Sequence, residues 1–285
     1  MRWQHARGFL TLGERPVLMG ILNVTPDSFS DGGLHFSLDG ALRRAEQQIA
    51  AGAVILDVGG ESTRPGAMPV DEEEELRRVV PVLREIRCRW PDVLLSIDTY
   101  KSRVAREALE AGAVIINDVS GGRWDEALLS VVAESKAAYI CMHSLDRPDR
   151  MQLNPVYQNV AAEVGLFLRD LCGRLDGLGV SRERLAVDPG LGFGKTPEHN
   201  LTLIRAASDW AAFGRPVVWG LSRKSFISRL LGVGPEERLT GGLAAHAWLL
   251  RQPHPQIWRV HEVEAYARLW KMSFLLDRGT DSTAS

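Results

Sequence analysis

The sequence predicts one α/β domain folded as a (β/α)8 barrel, and three observations lead to this fold class. Short apolar segments rich in Val, Ile and Leu alternate with longer amphipathic segments, as in repeated βα units. Eight such short segments occur, which is the number of strands in a closed barrel, and 285 residues are enough to build one. Nearly every short segment is followed by a polar residue. An open, doubly wound sheet is the alternative fold with the same alternation.

The eight short apolar segments are too short for helices and are typical of buried parallel strands. In chain order, the predicted strands are Val17–Leu22, Ala53–Leu56, Val93–Ile97, Ala113–Ile116, Ala138–Cys141, Leu185–Val187, Pro216–Trp219 and Gln256–Trp258. Residues 1–16 are expected to form a short N-terminal extension or hairpin. Residues 17–280 are assigned to the barrel and residues 281–285 to a C-terminal tail.

The amphipathic segments between these strands predict the helices. They are Leu38–Ala51, Asp71–Trp90, Lys101–Ala111, Trp124–Ser135, Val156–Leu178, Pro197–Ala212, Glu237–Leu250 and Val263–Leu276, with an extra short helix at Arg223–Leu231. Gly52 is a C-terminal stop for the first helix. The run of acids that begins at Asp71 suits the positive end of a helix dipole. Pro81 is expected to kink or split the second helix.

Composition and charge indicate a soluble protein without a polyanionic partner. Hydrophobic residues make up 45% and charged residues 25% of the chain, which is ordinary for a globular protein. The formal net charge of −2 gives no electrostatic reason to expect nucleic acid or a membrane surface as a partner. The N-terminal segment does not resemble a signal peptide, and no apolar run is long enough to span a bilayer. Three widely spaced cysteines indicate reduced thiols, so we expect a cytoplasmic protein.

The polar residues that follow the strands predict a ligand site. Barrel enzymes place their chemistry at the C-terminal ends of the strands. The polar residues found there are Asn23, Asp57, Asp98, Asn117, Asp118, His143, Asp188, Ser222, Arg223, Lys224, Arg259 and His261, with Met142 directly before His143. Any single one of them could be a helix cap or a turn residue, but the complete set favours a site. Its carboxylates suggest a nitrogen-rich heterocycle as ligand, and its cations suggest a phosphate.

Two glycine-containing loops have the composition of lids that close over a substrate. The first has the sequence TPDSFSDGG at residues 25–33, and it is longer than the roughly 2 to 6 residues usual for a βα connection. The second has the sequence STRPG at residues 62–66. Residues 188–195, DPGLGFGK, are also glycine-rich, but they lack the spacing of a nucleotide-binding P-loop.

These motifs together resemble the dihydropteroate synthases. Two long motifs, GILNVTPDSFSDGG at residues 20–33 and DVGGESTRPG at residues 57–66, are similar to the first two signatures of that family. Five short motifs follow in family order: SIDT at 96–99, IND at 116–118, DPGLGFGK at 188–195, SRKS at 222–225 and RVH at 259–261. The resemblance covers the chain from about Val17 to its end, and it implies the same (β/α)8 barrel as the strand count.

The resemblance implies an activity and assigns roles to residues. Members of the family join 4-aminobenzoate to 6-hydroxymethyl-7,8-dihydropterin pyrophosphate and release pyrophosphate during folate synthesis. The implied pterin site is Asp57, Asp98, Asn117, Met142, Asp188 and Lys224. The implied pyrophosphate site is Asn23, Arg259 and His261, with Asn23 also binding Mg²⁺. The implied 4-aminobenzoate site is Phe29, Thr63, Arg64, Pro65, Phe193 and Ser222. The implied catalytic residues are Asp31, Asp98, Asp188, Lys224 and Arg259.

The resemblance also implies a mechanism and a quaternary structure. Early cleavage of the C–O bond would leave a cationic pterin methylene, stabilised by Asp98 and Asp188, which the neutral aniline attacks without a strong general base. The family further implies a homodimer and inhibition by sulfonamides. Two alternatives stay open: a methyltetrahydrofolate-dependent methyltransferase domain and a non-catalytic pterin-binding paralogue. The first has no need for residues 62–66, and the second should have lost Thr63, Arg64 or the anion-binding residues.

Overall fold

Eight parallel strands close into a barrel, which confirms the predicted fold class and excludes the open sheet. The computed structural model describes residues 1–25, 38–64, 66–252 and 254–278. A hairpin of β1 (Arg2–His5) and β2 (Gly8–Thr11) comes first. The barrel strands are β3 (Val17–Asn23), β4 (Ile55–Gly59), β5 (Leu94–Asp98), β6 (Ile115–Asp118), β7 (Ala138–Met142), β8 (Leu185–Asp188), β9 (Val217–Trp219) and β10 (Gln256–Val260). All eight predicted strands are present, and β10 pairs with β3 to complete the ring.

Helices surround the barrel, close to the predicted positions. They are α1 (Leu38–Ala50), α2 (Glu72–Arg89), α3 (Ser102–Glu110), α4 (Ala127–Glu134), α5 (Val160–Gly177), α6 (Pro197–Arg205), α7 (Ala207–Ala211), α8 (Ser225–Leu231), α9 (Arg238–Leu249) and α10 (Val263–Arg278). Helix α5 begins four residues later than predicted because Asn159 caps it. The Asn159 side chain accepts a hydrogen bond from the Ala162 N–H at 3.1 Å.

The structure corrects two predictions about the helices. Helix α2 runs unbroken through Pro81, so the predicted split is wrong. Proline removes one helical hydrogen bond, but buried residues on both sides, such as Val79 and Leu83, keep the helix packed on the barrel. The predicted helix Pro197–Ala212 is divided at Ala206 into α6 and α7. There the buried Trp210 indole donates to the Leu203 carbonyl at 2.8 Å, which satisfies one of the carbonyls at the end of α6.

Alternate residues of each strand face the barrel interior or the helices. One apolar cluster contains Met19, Ile55 and other inward residues, and the larger cluster between strands and helices contains their neighbours Leu18 and Leu56. Two residues further along β4, the same inward row reaches Asp57. The interior is therefore apolar near the start of the strands and polar near their C-terminal ends, where the predicted site lies.

The N-terminal hairpin covers the end of the barrel opposite the predicted site. Trp3 and Leu12 are each only 1% exposed and belong to the interior apolar cluster. The Trp3 indole donates a hydrogen bond to the carbonyl of Arg184, just before β8, at 3.0 Å. The hairpin thus forms an apolar floor for the barrel. None of the helices in the described ranges is both long and apolar enough to cross a membrane.

Candidate functional site

The barrel register brings the predicted pterin residues together at the mouth. Asp98, the last residue of β5, lies opposite Gly59 of β4 on one side and Asn117 of β6 on the other. Asp57 lies two residues before Gly59 and therefore on the same inner face. Across β7 and β8, Met142 is paired with Asp188. All five predicted pterin residues on these strands are at most 6% exposed: Asp57, Asp98, Asn117, Met142 and Asp188.

Arg259 of β10 holds two of the carboxylates. Its Nε donates to Asp57 Oδ2 at 2.7 Å, and its Nη2 donates to Asp98 Oδ2 at 2.6 Å. The Asn117 side-chain amide also donates to Asp57 Oδ2, at 2.9 Å. The guanidinium therefore lies in the predicted pterin pocket and bridges its two acids. The resemblance assigned Arg259 to pyrophosphate binding and did not predict its contacts with Asp57 and Asp98.

The other oxygen of each bridged carboxylate has no hydrogen-bond donor. Asp57 Oδ1 and Asp98 Oδ1 are buried and lack a partner among the described residues. A buried acceptor without a donor costs about 1 to 3 kcal/mol, more when it is charged. Two such oxygens on one inner face have the geometry to accept hydrogen bonds from a ligand with N–H groups.

Burial shifts the proton affinities of this site. The pKa of Asp98 is raised to about 7 by burial, which outweighs the lowering by Arg259 and is assisted by the neighbouring Asp57. Burial alone would lower the pKa of Arg259, but Asp57 and Asp98 raise it instead. The arginine is thus a permanent cation, whereas Asp98 can exchange a proton near neutral pH.

Asp188, Lys224 and Phe193 form the wall of the pocket opposite Asp57. Asp188 Oδ1 accepts the Gly190 N–H at 2.7 Å, and burial raises the pKa of its carboxyl. Lys224 Nζ lies 4.0 Å from the centre of the Phe193 ring, a cation–π contact. Burial lowers the pKa of Lys224 to about 8, helped by Arg259 and opposed by Asp188 and Asp98. The segment 188–195 thus links the predicted pterin residues to Phe193, which the resemblance assigned to 4-aminobenzoate.

Pterin binding should release protons in an amount that falls as the pH rises. Asp98 has a pKa of about 7 in the free protein, so it is mostly protonated at pH 6, and a ligand N–H favours its ionised form. We expect about one proton per site at pH 6 and about half a proton at pH 7. Calorimetry in two buffers of different ionisation enthalpy measures this number. An equal release at both pH values would contradict the role given to Asp98.

Of the residues predicted to bind pyrophosphate, Arg259 lies on β10 and His261 directly follows that strand, beside Ser222 in the segment after β9. Ser222 Oγ is 3.0 Å from His261 Nδ1 and 3.3 Å from Glu262 Oε2, and it accepts the His261 backbone N–H at 3.2 Å. Burial and the nearby cations, Arg259 first among them, together lower the pKa of His261 to about 3. His261 is therefore neutral in the free protein. The resemblance assigned the Ser222 hydroxyl to 4-aminobenzoate. In the structure this hydroxyl is already bonded to His261 and Glu262.

Arg223 fixes the turn between Ser222 and Lys224. Its φ of +59° is the only positive value at a non-glycine residue in the described ranges. Such a conformation costs about 1 to 2 kcal/mol. The Arg223 side chain forms an ion pair with Glu262, which follows His261. The turn directs the backbone so that Ser222 bonds to His261 while Lys224 lies against Phe193.

The predicted loop residues are placed only in part. Asn23 ends β3 beside Gly59, at the mouth of the barrel. Thr63 is half-buried and Arg64 is exposed, and Arg64 is close enough to contribute to the lowered pKa of His261, after burial and other cations. The second loop therefore lies near His261. Phe29, Asp31 and Pro65 fall outside the described residues.

Two buried lysines near the mouth were missed by the sequence reasoning. Lys195 Nζ lies 3.0 Å from His143 Nδ1 and donates to the carbonyls of His143 and Phe193 at 3.3 Å and 3.0 Å. Lys101 is bonded to two buried glutamates. In the sequence, each of these lysines follows an aspartate that ends a strand, Asp98 or Asp188. This pattern does not reveal which residues the lysines contact in the fold.

Comparisons with known proteins agree with this geometry. A family model described as a pterin binding enzyme matches residues 19–261. The dihydropteroate synthase of Escherichia coli K12 is 46% identical over 249 residues, which cover 87% of each protein. Two solved structures are similar over nearly the whole fold.

The dihydropteroate synthase of Yersinia pestis, solved in complex with a sulfonamide drug, has a TM-score of 0.89 at 40% identity, covering 97% of this chain and 99% of that one. The enzyme of Burkholderia cenocepacia, complexed with 7,8-dihydropteroate, has a TM-score of 0.86 at 40% identity, covering 97% and 96%. The family model spans all the residues from Asn23 to His261 that lie at the mouth. The chain therefore belongs to the pterin-binding enzyme family and, within it, to the dihydropteroate synthases.

Proposed function

We propose that this chain is a transferase that condenses 6-hydroxymethyl-7,8-dihydropterin pyrophosphate with 4-aminobenzoate to give 7,8-dihydropteroate and pyrophosphate. The proposal that a pterin binds here rests on two buried carboxylate oxygens that have no hydrogen-bond donor, Asp57 Oδ1 and Asp98 Oδ1. A pterin ring supplies N–H groups to both, so binding would complete the hydrogen bonds of the pocket. The relatives support the reaction because they carry this activity in their name and one holds the product.

The charges of the site suit a substitution in which the leaving group departs first. As the C–O bond breaks, negative charge grows on the pyrophosphate and positive charge spreads into the pterin. Asp98 and Asp188 lie at the pterin end and stabilise the positive charge. Arg259 uses two of its five N–H donors on Asp57 and Asp98, which leaves others for a phosphate oxygen. His261 can donate a hydrogen bond or take up a proton beside the anion.

The 4-aminobenzoate would be held between the second loop and the segment 188–195. Thr63 and Arg64 lie on that loop, and Phe193 lies against Lys224 on the opposite side. The aniline attacks as a neutral amine, so the site must orient it and exclude water and needs no strong base. Sulfonamides have the shape and charge of 4-aminobenzoate, and we expect them to compete for this site.

Asn23 and the phosphates of the substrate together fit a Mg²⁺ ion. The Asn23 side chain offers an amide oxygen at the mouth, near the anion end. Mg²⁺ prefers oxygen ligands, keeps several waters and commonly binds through one or two protein oxygens together with substrate phosphates. The described residues contain no cluster of three or more His, Cys, Asp or Glu that could hold a metal without the substrate. When bound, the ion would spread the charge of the departing pyrophosphate.

We propose that the protein is a homodimer with α10 in the interface. We also propose that it is located in the cytoplasm. Met272 and Leu276, one turn apart on α10, are 56% and 73% exposed. Three free cysteines suit a reducing compartment. Light scattering of the purified protein should give the mass of two chains, and Leu276→Glu should lower it to one. A monomeric wild-type protein would refute the dimer.

The decisive experiment measures pyrophosphate release from the pterin pyrophosphate with and without 4-aminobenzoate, in Mg²⁺ and after chelation by EDTA. We expect release that requires both 4-aminobenzoate and Mg²⁺ and yields dihydropteroate. Pterin binding without any release would support the non-catalytic paralogue. Methyl transfer from methyltetrahydrofolate would support the methyltransferase alternative.

A further inference from the structure

A buried lysine joins the two residues that flank the segment 62–69, which contains the second loop. Lys101 Nζ donates to Glu61 Oε2 and to the carbonyl of Val70, each at 2.6 Å, and it also bonds to Glu75 Oε2. The three N–H donors of the ammonium thus have three acceptors. Lys101 and Glu61 are both 7% exposed and Glu75 is 1% exposed. The cluster of Lys101, Glu61 and Glu75 is called the loop clamp below.

The loop clamp holds the two residues that flank the segment 62–69 in the chain. Glu61 immediately precedes this segment and Val70 immediately follows it. Glu61 Oε2 also accepts the Val70 N–H at 3.0 Å, so the two ends are bonded to each other as well as to Lys101. The tip of the loop makes its own contact, from the Gly66 N–H to the Pro148 carbonyl at 3.1 Å. Thr63 and Arg64 are therefore carried on a loop closed at its base.

The same clamp is rigidly connected to the pterin pocket. Lys101 follows Asp98 by three residues, on the short segment that joins β5 to α3. At the root of the loop, a Cβ on Gly59 would lie 3.3 Å from Asp98 Cβ, and a Cβ on Gly60 would lie 2.9 Å from Glu75 Cγ. A side chain at Gly60 would force the packing against α2 to shift, and one at Gly59 would press on Asp98. The position of the loop is thus set relative to Asp98.

We infer that Lys101 is a positioning residue for the second substrate: it holds the 62–69 loop at a fixed distance from the pterin site, so that 4-aminobenzoate is bound in line with the pterin methylene. The inference rests on the proposed function of that loop. Lys101 touches neither substrate and acts through Glu61 and Val70. A buried lysine with two glutamates is a poor device for stability alone, because well-packed apolar residues are often as stable or more so. It is a good device for joining three chain segments in one geometry.

The test separates binding of the two substrates. In Lys101→Met/Glu75→Gln the formal charge of the cluster stays at −1, since one cation and one anion are removed together. We expect the KM for 4-aminobenzoate to rise about tenfold or more, because a loop misplaced by about 1 Å disturbs the attack geometry. The Kd for 6-hydroxymethylpterin should not change. Lys101→Met alone should show the same split with a lower free energy of unfolding.

Arg184→Met is the matched control. Arg184 is a 7% exposed cation at the floor of the barrel, where it donates to the carbonyls of Ala137 at 2.8 Å and Val132 at 2.5 Å. Its loss should lower stability and leave both substrate constants unchanged. An unchanged KM for 4-aminobenzoate in the double variant, or the same increase in Arg184→Met, would overturn the inference. A wild-type protein that forms no dihydropteroate would instead overturn the proposed function.

Discussion

Arg259→Ala should lower kcat/KM by about 10³-fold, since it removes a charged donor aimed at the developing charge. The structure adds a second effect, because Arg259 is bonded to Asp57 and Asp98 within a buried site. Removing one partner of a buried ion pair costs about 3 kcal/mol of unfolding free energy. Steady-state kinetics and urea unfolding measure the two effects separately.

A double variant distinguishes the stability effect from the catalytic one. Arg259→Ala/Asp98→Asn removes one of the two carboxylates that the single variant leaves without their arginine, so it should recover part of the stability but no activity. Asp98 has a folded-state pKa of about 7 with Arg259 present, and loss of this cation raises the pKa further. The stability lost in the single variant should therefore shrink as the pH falls toward 7 from above, where Asp98 takes up a proton in the folded variant before it does so in the wild type. Full activity in Arg259→Ala would contradict the role of this arginine.

Gly190→Ala should be the most destabilising single-methyl change at the mouth. Gly190 has a φ of +69°, and an added Cβ would lie 1.8 Å from the His143 carbonyl oxygen, which is far inside van der Waals contact. Backbone must move to relieve this clash, and the Gly190 N–H is the donor to Asp188 Oδ1. We expect a loss of about 4 kcal/mol or more in the free energy of unfolding, with loss of pterin binding in any protein that still folds.

Gly214→Ala separates the clash from the cost of the backbone conformation. Gly214 has a φ of +61°, and no heavy atom lies within 4 Å of the added Cβ. This variant should lose only about 1 to 2 kcal/mol, the cost of a left-handed alanine. Urea unfolding of both variants gives the comparison. Equal losses in the two would show that the contact with His143 does not matter.

The barrel and its polar mouth were predictable because both depend on local patterns. The short apolar strands and the polar residue after each of them are visible along the chain. The inward direction of Asp57, Asp98 and Asn117 then follows from the alternation of residues in a strand. No long-range knowledge is needed to expect these residues at one mouth.

The partners of the polar residues were not predictable from local patterns. Arg259 and Asp57 are separated by 202 positions in the chain, so nothing near either residue reveals their contact. The clamp formed by Lys101 joins residues 40 and 26 positions away in the same manner. Local rules also overstate the effect of a single proline. Pro81 lies within an unbroken α2, because packing on both sides of it holds the helix. Tertiary contacts decided each of these cases.

The apolar floor has a consequence for how the chain reaches this structure. Trp3 is bonded to the carbonyl of Arg184, 181 positions later, and Val17 is paired with Ile257. During synthesis the hairpin emerges long before its partner Arg184, and the ring cannot close until β10 is available. Contacts of such sequence separation slow folding. We therefore expect the mouth to acquire activity in a late, cooperative step that coincides with docking of the first strands.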